Sequence, residues 1–477
     1  MAPKLEDFEE SIVLRGLQLG DYAAWAELMR KCFPGLKPWN EEQLASMLDH
    51  FDEGQVCIEI EGEIVAACSS LIIKYDDYTD WHDYMQIADE GYIRNHDAEG
   101  DTLYGIEMMV HPDYRGRKLA RRLYDHRKQL CRDKRCARMI IGGRIPGYVT
   151  HRQTLSAREY VEKVMGKELY DPVLTTQIAN GFQLRELVAD YLPSDEDSAG
   201  YATILEWPNL DHMPEGTRRR RSRRAVDIAR LGFVQYGMRR IASFDEFERQ
   251  CAFFVDAASD QKADVLLFPE LFTTQLLSLI EEGRPEQDAR KLAELTPRYL
   301  ELFGRLARDY NINIIGGSQL VTEEDGSLYN VAFLFRRDGT IAQQKKIHIT
   351  PDEAKWWGVQ GGDKVEVFET DIGPIAILIC YDIEFPELAR YVVERGARVI
   401  FVPSNTFDRR GHLRVKLCAQ ARCIENQIFV VTAGPVGNLP LLANADTHYY
   451  QSGIYTPSDI AFARDGFDGG LRFGGDS

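Results

Sequence analysis

The spacing of apolar positions changes repeatedly along the 477-residue chain, and each change predicts an element. Residues 12–14 form a short apolar run. Asp21 then stands where an N-cap opens a helix through Trp25, Leu28 and Met29, ending near Pro34. Runs 56–60 and 64–73 flank Glu61-Gly62 and predict a hairpin. Run 106–110 is a strand closed by His111-Pro112. Leu119, Leu123, His126 and Leu130 follow at helical spacing, and 139–141 is the next strand. After Trp207-Pro208 the pattern lapses. It resumes with an expected strand over 228–236 and a helix carrying Phe244, Phe247, Cys251, Phe254 and Val255. A strand at 265–268 and one long amphipathic helix over 292–307 come next. Further strands are expected at 312–316, 332–335, 341–348, 375–379, 399–402 and 428–432. Strands alternating with helices predict an α/β architecture in both halves.

The lapse divides the chain into a domain over 11–207, a linker over 208–225 and a second domain over 226–477, in keeping with the length. Apolar residues at 44% and charged residues at 28% describe a soluble globular protein. A net charge of −18 argues against general nucleic-acid affinity. The basic run at 218–224 has the composition of a nucleic-acid patch or nuclear signal, but it sits between two folded segments rather than on a tail and reads as a solvated connector. Nine cysteines without a CxxC pair predict a reduced, cytoplasmic protein rather than a disulfide framework. The acidic opening MAPKLEDFEE has no apolar core, so no signal peptide is expected. No run is long and apolar enough for a spanning helix, so no membrane partner is expected. The ten histidines form no ligand pattern such as HExxH, and no metal is expected.

Chemistry first suggests itself after the strand that ends at Val110. Arg115, Gly116, Arg117, Lys118, Leu119 and Ala120 form a basic, glycine-bearing loop that opens a helix, with Arg121 and Arg122 just inside it. Loop amides, the first N–H groups of a helix and its dipole all favour an anion there, and a pyrophosphate is the natural guest. The order strand, helix, hairpin, strand, basic loop, helix, strand resembles the GNAT-type N-acetyltransferase fold. In that family the loop binds the pyrophosphate of acetyl-CoA. The resemblance implies acetyl-CoA as co-substrate and an amine acceptor. Lys118 stands where the family usually has glycine, which is tolerable if its φ stays negative. Glu107, out of phase with Ile106 and Met108, is the candidate acetyl-transfer base, with an edge-exposed glutamate as the plainer reading.

In the second domain, Glu270 in LLFPEL, Lys346 in KKIHI and Cys380 in ICYDIEFPE share one address, at or near the end of an expected strand. A thiol nucleophile, a base and a cation suit acyl transfer. The three phrases, in this order, resemble the nitrilase, or carbon–nitrogen hydrolase, superfamily. The resemblance implies a four-layer αββα sandwich, a Glu270-Lys346-Cys380 triad, and Glu353 of PDEAKWWG as a second glutamate. With the Tyr381 backbone N–H at the oxyanion, it implies hydrolysis of a small amide or N-carbamoyl compound through a thioester. It also implies a homo-oligomer formed through this domain. His348 is set aside as a Cys380 partner because Lys346 lies on the same expected strand face. The glycine-rich residues 464–477 read as a disordered tail, shortened relative to the family. Taken together, the plan resembles fusions of a GNAT domain with a carbon–nitrogen hydrolase. Two alternatives stand beside it: an N-terminal acyl-CoA sensor without catalysis, and a second domain that transfers its acyl group to an amine.

Overall fold

Glu61 and Gly62 both take positive φ, 50° and 82°, as a two-residue hairpin turn requires. They join β2 (Gln55–Ile60) to β3 (Glu63–Ile73) in the computed structural model, which describes residues 3–78, 83–212, 228–281, 283–439, 447–459, 462 and 466–470. The chain forms two units. One is Ile12–Arg223, and the other joins Met1–Ser11 to Arg224–Ser477. The basic run at 218–224 lies outside the described residues. None of the described helices is long and apolar enough to cross a membrane.

The N-terminal unit is a sheet of order β1-β2-β3-β4-β5-β7-β6, adding β1 (Ile12–Gly16), β4 (Thr102–Val110), β5 (Arg138–Arg144), β6 (Gln183–Val188) and β7 (Ala202–Pro208). Alternation along β2 sorts its faces. Val56, Ile58 and Ile60 pack with Leu119 and Leu123 of α3 (Leu119–Asp133). Cys57 faces the opposite core with Trp25 and Leu28 of α1 (Tyr22–Cys32) and Leu44 and Met47 of α2 (Glu41–Phe51). Asp21 does not cap α1 with its side chain; it pairs with Arg15 at 2.7 Å. β4 and β5 are the parallel pair, and they are bonded only from Thr102–Gly105 to Arg138–Ile141. Beyond that, β4 stays with β3 and β5 with β7, so the two strands part.

The C-terminal unit packs two sheets face to face between helices. One sheet runs β13-β12-β11-β10-β8, with β14 (Val359–Gln360) beside β12. Its strands are β8 (Leu231–Phe233), β10 (Val265–Leu267), β11 (Asn313–Thr322), β12 (Leu328–Phe335) and β13 (Ile341–Lys345). The second runs β15-β16-β17-β18-β21-β22. It contains β15 (Val367–Phe368), β16 (Ile375–Ile377), β17 (Val399–Pro403), β18 (Phe429–Ala433), β21 (Gly453–Tyr455) and β22 (Phe467–Gly470). Val265, Leu267, Ala332 and Leu334 meet Ile375, Ile377, Ile400 and Val430 between the sheets. The alternate residues Leu266, Phe333 and Phe335 face Phe247 and Cys251 of α4 (Phe244–Asp260) and Phe303 and Leu306 of α6 (Thr296–Asp309). Ala389 and Val392 of α7 (Pro386–Glu394), with Val415 and Ala419 of α8 (Arg409–Asn426), cover the other sheet. The layers are therefore α, β, β, α.

Three expectations change. The run 228–236 is split between β8 and β9 (Tyr236–Met238), which lie in different sheets, β9 joining β19 (Pro435–Asn438) and β20 (Thr447–His448). Gln235 makes the transfer, donating to the Gly434 carbonyl and accepting from Ser452 N–H. The helix over 292–307 is two, α5 (Pro285–Ala293) and α6, because Pro297 fits only a first turn. Within the glycine-rich end, Phe467–Gly470 is not a tail but β22, paired with β21. Residues 1–10, which fall in neither expected domain, belong to the C-terminal unit. Leu5 and Phe8 pack on its core, Glu9 accepts from Ile341 N–H at 2.7 Å, and Glu10 pairs with Arg308 at 2.7 Å. This arm covers the start of β13, whose far end delivers Lys346.

Candidate active site

Glu270, Lys346, Glu353 and Cys380 meet just past the ends of β10, β13 and β16, all buried. β10 stops at Leu267, and Pro269 lacks an N–H to extend the ladder. β11 bulges between Ile315 and Ser318 to receive the turn. Gly317 has φ +69°, and a Cβ there would overlap the Pro269 carbonyl oxygen, so this position needs glycine. The Glu270 N–H donates to the Ser404 carbonyl, fixing its side chain inward.

β13 ends at Lys345, one residue before Lys346. Lys345 turns out to Glu323 at 2.8 Å and lies over the Tyr329 ring. Lys346 turns in. Its Nζ donates to Glu270 Oε1 and to Glu353 Oε2, each at 2.7 Å. The backbone beyond it is drawn toward the cysteine turn, since the N–H groups of Ile347 and His348 donate to Asp382. The strand periodicity used to place His348 therefore does not apply. Its ring stacks on Phe385 at 3.5 Å and meets Asp382 Oδ1 at 3.1 Å. Glu353 opens the turn Glu353–Trp357, and its Oε2 also accepts from the Thr350 N–H and hydroxyl.

Cys380 holds a left-handed φ of 48°, a strained conformation for a residue with a Cβ. Asp382 stabilises this corner by accepting from the Ile379 N–H at 3.1 Å. The thiol donates to the Asn405 carbonyl at 3.7 Å. Tyr381 is the second residue of the 3-10 turn Cys380–Glu384, where an N–H has no carbonyl partner within the turn. Arg422 of α8 donates to the Ile383 and Glu384 carbonyls and fixes the turn from below.

The charges here are strongly coupled. Burial pushes Glu270 above the ordinary carboxylate range, and Glu353 adds to the push while Lys346 opposes it. Burial also acts on Glu353, but Lys346, Asn330 and Thr350 outweigh it and hold Glu353 low. Lys346 stays charged, because the two glutamates outweigh the desolvation that works against it. Burial and the neighbouring Glu270 drive the Cys380 thiol well up, so it rests protonated. Two carboxylates pushed in opposite directions can take different roles, one moving a proton and one holding charge.

In the N-terminal unit, Gly116 has φ +86° in open space, and Lys118 takes φ +51° at the start of α3. Lys118 is therefore a correction: it adopts the glycine-like conformation at some strain rather than keeping φ negative. Its side chain has no acceptor to cover the first amides of α3, at Leu119 and Ala120, so the positive end of the helix is kept. With Arg115 and Arg117, this donor set fits a pyrophosphate. The Val110 carbonyl accepts from the Cys32 thiol at 3.2 Å. Glu107 is buried, not edge-exposed. It accepts from Trp39 Nε1 at 3.0 Å, Ser69 Oγ at 3.2 Å and the Tyr84 hydroxyl at 3.4 Å. β4 bulges here, and Arg127 bonds the Ser69 and Glu107 carbonyls, which turns Glu107 to this face. Burial pushes its carboxyl up to about 7, against its three donors. Glu107 stands on β4 where that strand and β5 part.

A model of the carbon–nitrogen hydrolase family matches residues 230–464, and one of the GNAT acetyltransferase family matches residues 22–165. The probable hydrolase YhcX of Bacillus subtilis (strain 168) is 51% identical over 471 residues, 98% of this chain and 91% of that protein. The chain belongs to the carbon–nitrogen hydrolase family. Its N-terminal unit is a GNAT-family domain, 35% identical over 205 residues to the uncharacterized N-acetyltransferase YkwB of the same Bacillus, covering 42% of this chain and 90% of that one. The hydrolase domain is 32% identical over 221 residues to the omega-amidase NIT2 of Homo sapiens, covering 43% of this chain and 74% of that one.

Two residues of the hydrolase domain escaped the sequence reading. Asn330 donates to both glutamates, and Asp382 ties the lysine loop to the cysteine turn. Each had a signal. Asn330 is a polar residue directly before the apolar run VAFLF, and Asp382 lies two residues past the cysteine. Among the described residues no cluster of ligating side chains that could hold a metal ion occurs.

Proposed function

We propose that the hydrolase domain cleaves a non-peptide C–N bond in a small amide or N-carbamoyl compound through a thioester on Cys380. The observation that carries this is one buried lysine bridging two carboxylates of divergent proton affinity, beside a protonated thiol. The thiol needs a base at the moment of attack, and Glu270 takes its proton as the C–S bond forms. Lys346 Nζ and the Tyr381 N–H hold the oxyanion. Glu270 returns the proton to the leaving nitrogen as the C–N bond breaks. Water then attacks the thioester and gives a proton to Glu270, while Glu353 keeps Lys346 charged and in place. The thiol finally recovers its proton from Glu270. Similarity to an omega-amidase supports an amide substrate. Acid quenching during turnover should leave a mass increase equal to the acyl group on the peptide bearing Cys380. Turnover with no such adduct, undiminished in Cys380→Ala, would refute the pathway.

For the GNAT domain the reading is acetyl transfer from acetyl-CoA to an amine. Arg115 to Ala120 and the opening of α3 hold the pyrophosphate, with the end of β4 at Val110 alongside. Glu107 takes the amine proton. As the base must be ionised, the rate should rise with pH through about 7, the value to which burial pushes this carboxyl. Glu107→Gln should lose that limb and about a hundredfold in rate. Thiol release from acetyl-CoA with an amine panel measures both. The enclosure of Glu107 by Trp39, Ser69 and Tyr84 favours a second reading, an acyl-CoA sensor that transfers nothing. Binding of acetyl-CoA without acetylation of any amine in the panel would select it.

Leu413, Leu417 and Ile424 lie on the solvent side of α8, 37%, 59% and 52% exposed, while Val415 and Ala419 face the core. A helix apolar on its outer side as well supports a homo-oligomer through this domain. Leu417→Glu should lower the mass seen on a sizing column to that of one chain. The nine free cysteines are in keeping with a reducing, cytoplasmic setting.

A further inference from the structure

Asn330 has no step in the scheme above, yet its side-chain amide bonds both carboxylates that the scheme uses. It is fully buried near the start of β12. Its Nδ2 donates to Glu270 Oε1 at 3.0 Å and to Glu353 Oε1 at 2.9 Å. Its backbone carbonyl accepts from the Lys346 backbone N–H at 2.8 Å. Both amide hydrogens are spent on carboxylates. The amide cannot flip, because its oxygen would then face two anions. That oxygen, Oδ1, is buried with no hydrogen-bond partner among the described residues. An unmatched buried acceptor costs free energy, and a leucine of similar volume would avoid the cost. A residue kept for packing alone has no reason to carry it.

We infer that Asn330 is a positioning residue, which clamps Glu270 and Glu353 at one spacing and keeps Glu270 ionised for its work as the base. The inference rests on the roles proposed for Glu270 and Cys380. Lys346 bridges the same two carboxylates from β13, so lysine and asparagine together close a ring of four groups. The lysine supplies charge and the amide supplies direction. The charged and titratable groups facing Glu270 are Lys346, Glu353 and Cys380, and Lys346 also acts on Asp382 in the cysteine turn. Removing the Asn330 donor leaves that set intact and takes away one stabiliser of the Glu270 anion. Protonation of Glu270 then becomes easier, so the pH below which it fails as a base moves up.

The test reads the alkylation of Cys380 by iodoacetamide in the full chain against pH, peptide by peptide in a mass spectrometer. The wild-type rate should fall on acidification as Glu270 takes up a proton. In Asn330→Leu the midpoint of that fall should move up by about one pH unit, as expected for one hydrogen bond to a charged group. Asn330→Thr, with a single hydroxyl donor, should shift it by less, and it decides the matter if the leucine variant does not fold. A midpoint unmoved in a folded variant overturns the inference and leaves the nucleophile assignment standing. A wild-type Cys380 no more reactive than the other eight cysteines overturns both.

Discussion

Lys346→Ala is expected to lose both activity and stability, and to lose less stability in acid. The wild-type Nζ lies 2.7 Å from each of two buried carboxylates. Without it, Glu270 and Glu353 face each other with Asn330 alone between them. Breaking a buried ion pair from one side costs about 3–5 kcal/mol, because a charge is left uncompensated. The sign of the pH dependence follows. In the wild type Glu353 is held below its unfolded value, so its contribution is present at neutral pH and fades as pH falls through its folded value. In the variant both carboxyls are raised, so stability is present in acid and drains as pH rises. Melting curves at pH 5 and pH 8 should therefore separate the two proteins widely at pH 8 and less at pH 5. Losing an oxyanion donor removes a further factor of about 10²–10³ in kcat. Lys345→Ala is expected to be mild, since Lys345 turns away from the site to Glu323. Equal losses for the two lysines would contradict the assignment.

Cys380→Ala is expected to abolish hydrolysis while leaving the fold nearly untouched. In the proposed scheme the thiol is the attacking group, and alanine has nothing to form the acyl bond. In contrast to Lys346, the side chain is small and neutral at rest, and its hydrogen bond to the Asn405 carbonyl is long at 3.7 Å. Alanine meets the same left-handed backbone that cysteine already tolerates, so no new strain is added. The melting temperature should move little, and any residual turnover should be independent of Glu270. Cys380→Ala and Lys346→Ala thus separate on stability even though both lose turnover. A site assembled around some other nucleophile would not produce this split.

The difference between what was legible in the sequence and what was not is mostly one of range. LLFPEL, KKIHI and ICYDIEFPE are contiguous phrases in which strand, breaker and functional residue are neighbours, so each could be read locally. Asn330 could not, because its partners lie 60 and 23 residues away and are brought to it by the pairing of β10 with β11, β11 with β12 and β12 with β13. Asp382 reaches the lysine loop 34 and 35 residues back. Lys118 failed for another reason: a lysine gives no local hint that its φ will be positive. The arm before Ile12 carries only Leu5 and Phe8 as anchors, too few to reveal which unit it joins. The expected strand over 228–236 was apolar enough for one sheet, and only tertiary bonds to Gln235 divide it between two. The existence of β2, β10 and β12, by contrast, was legible as apolar runs, and in the fold each presents two faces that meet separate cores.

Hydrolysis of a C–N bond by Cys380, as proposed, is read out by ammonia release. The intact chain and Cys380→Ala, matched for folding by their melting curves, should be given the same panel of small amides and N-carbamoyl compounds. Ammonia from at least one compound with the intact chain, and none from that compound with Cys380→Ala, is the expected result. Ammonia released at the same rate by both proteins would contradict it.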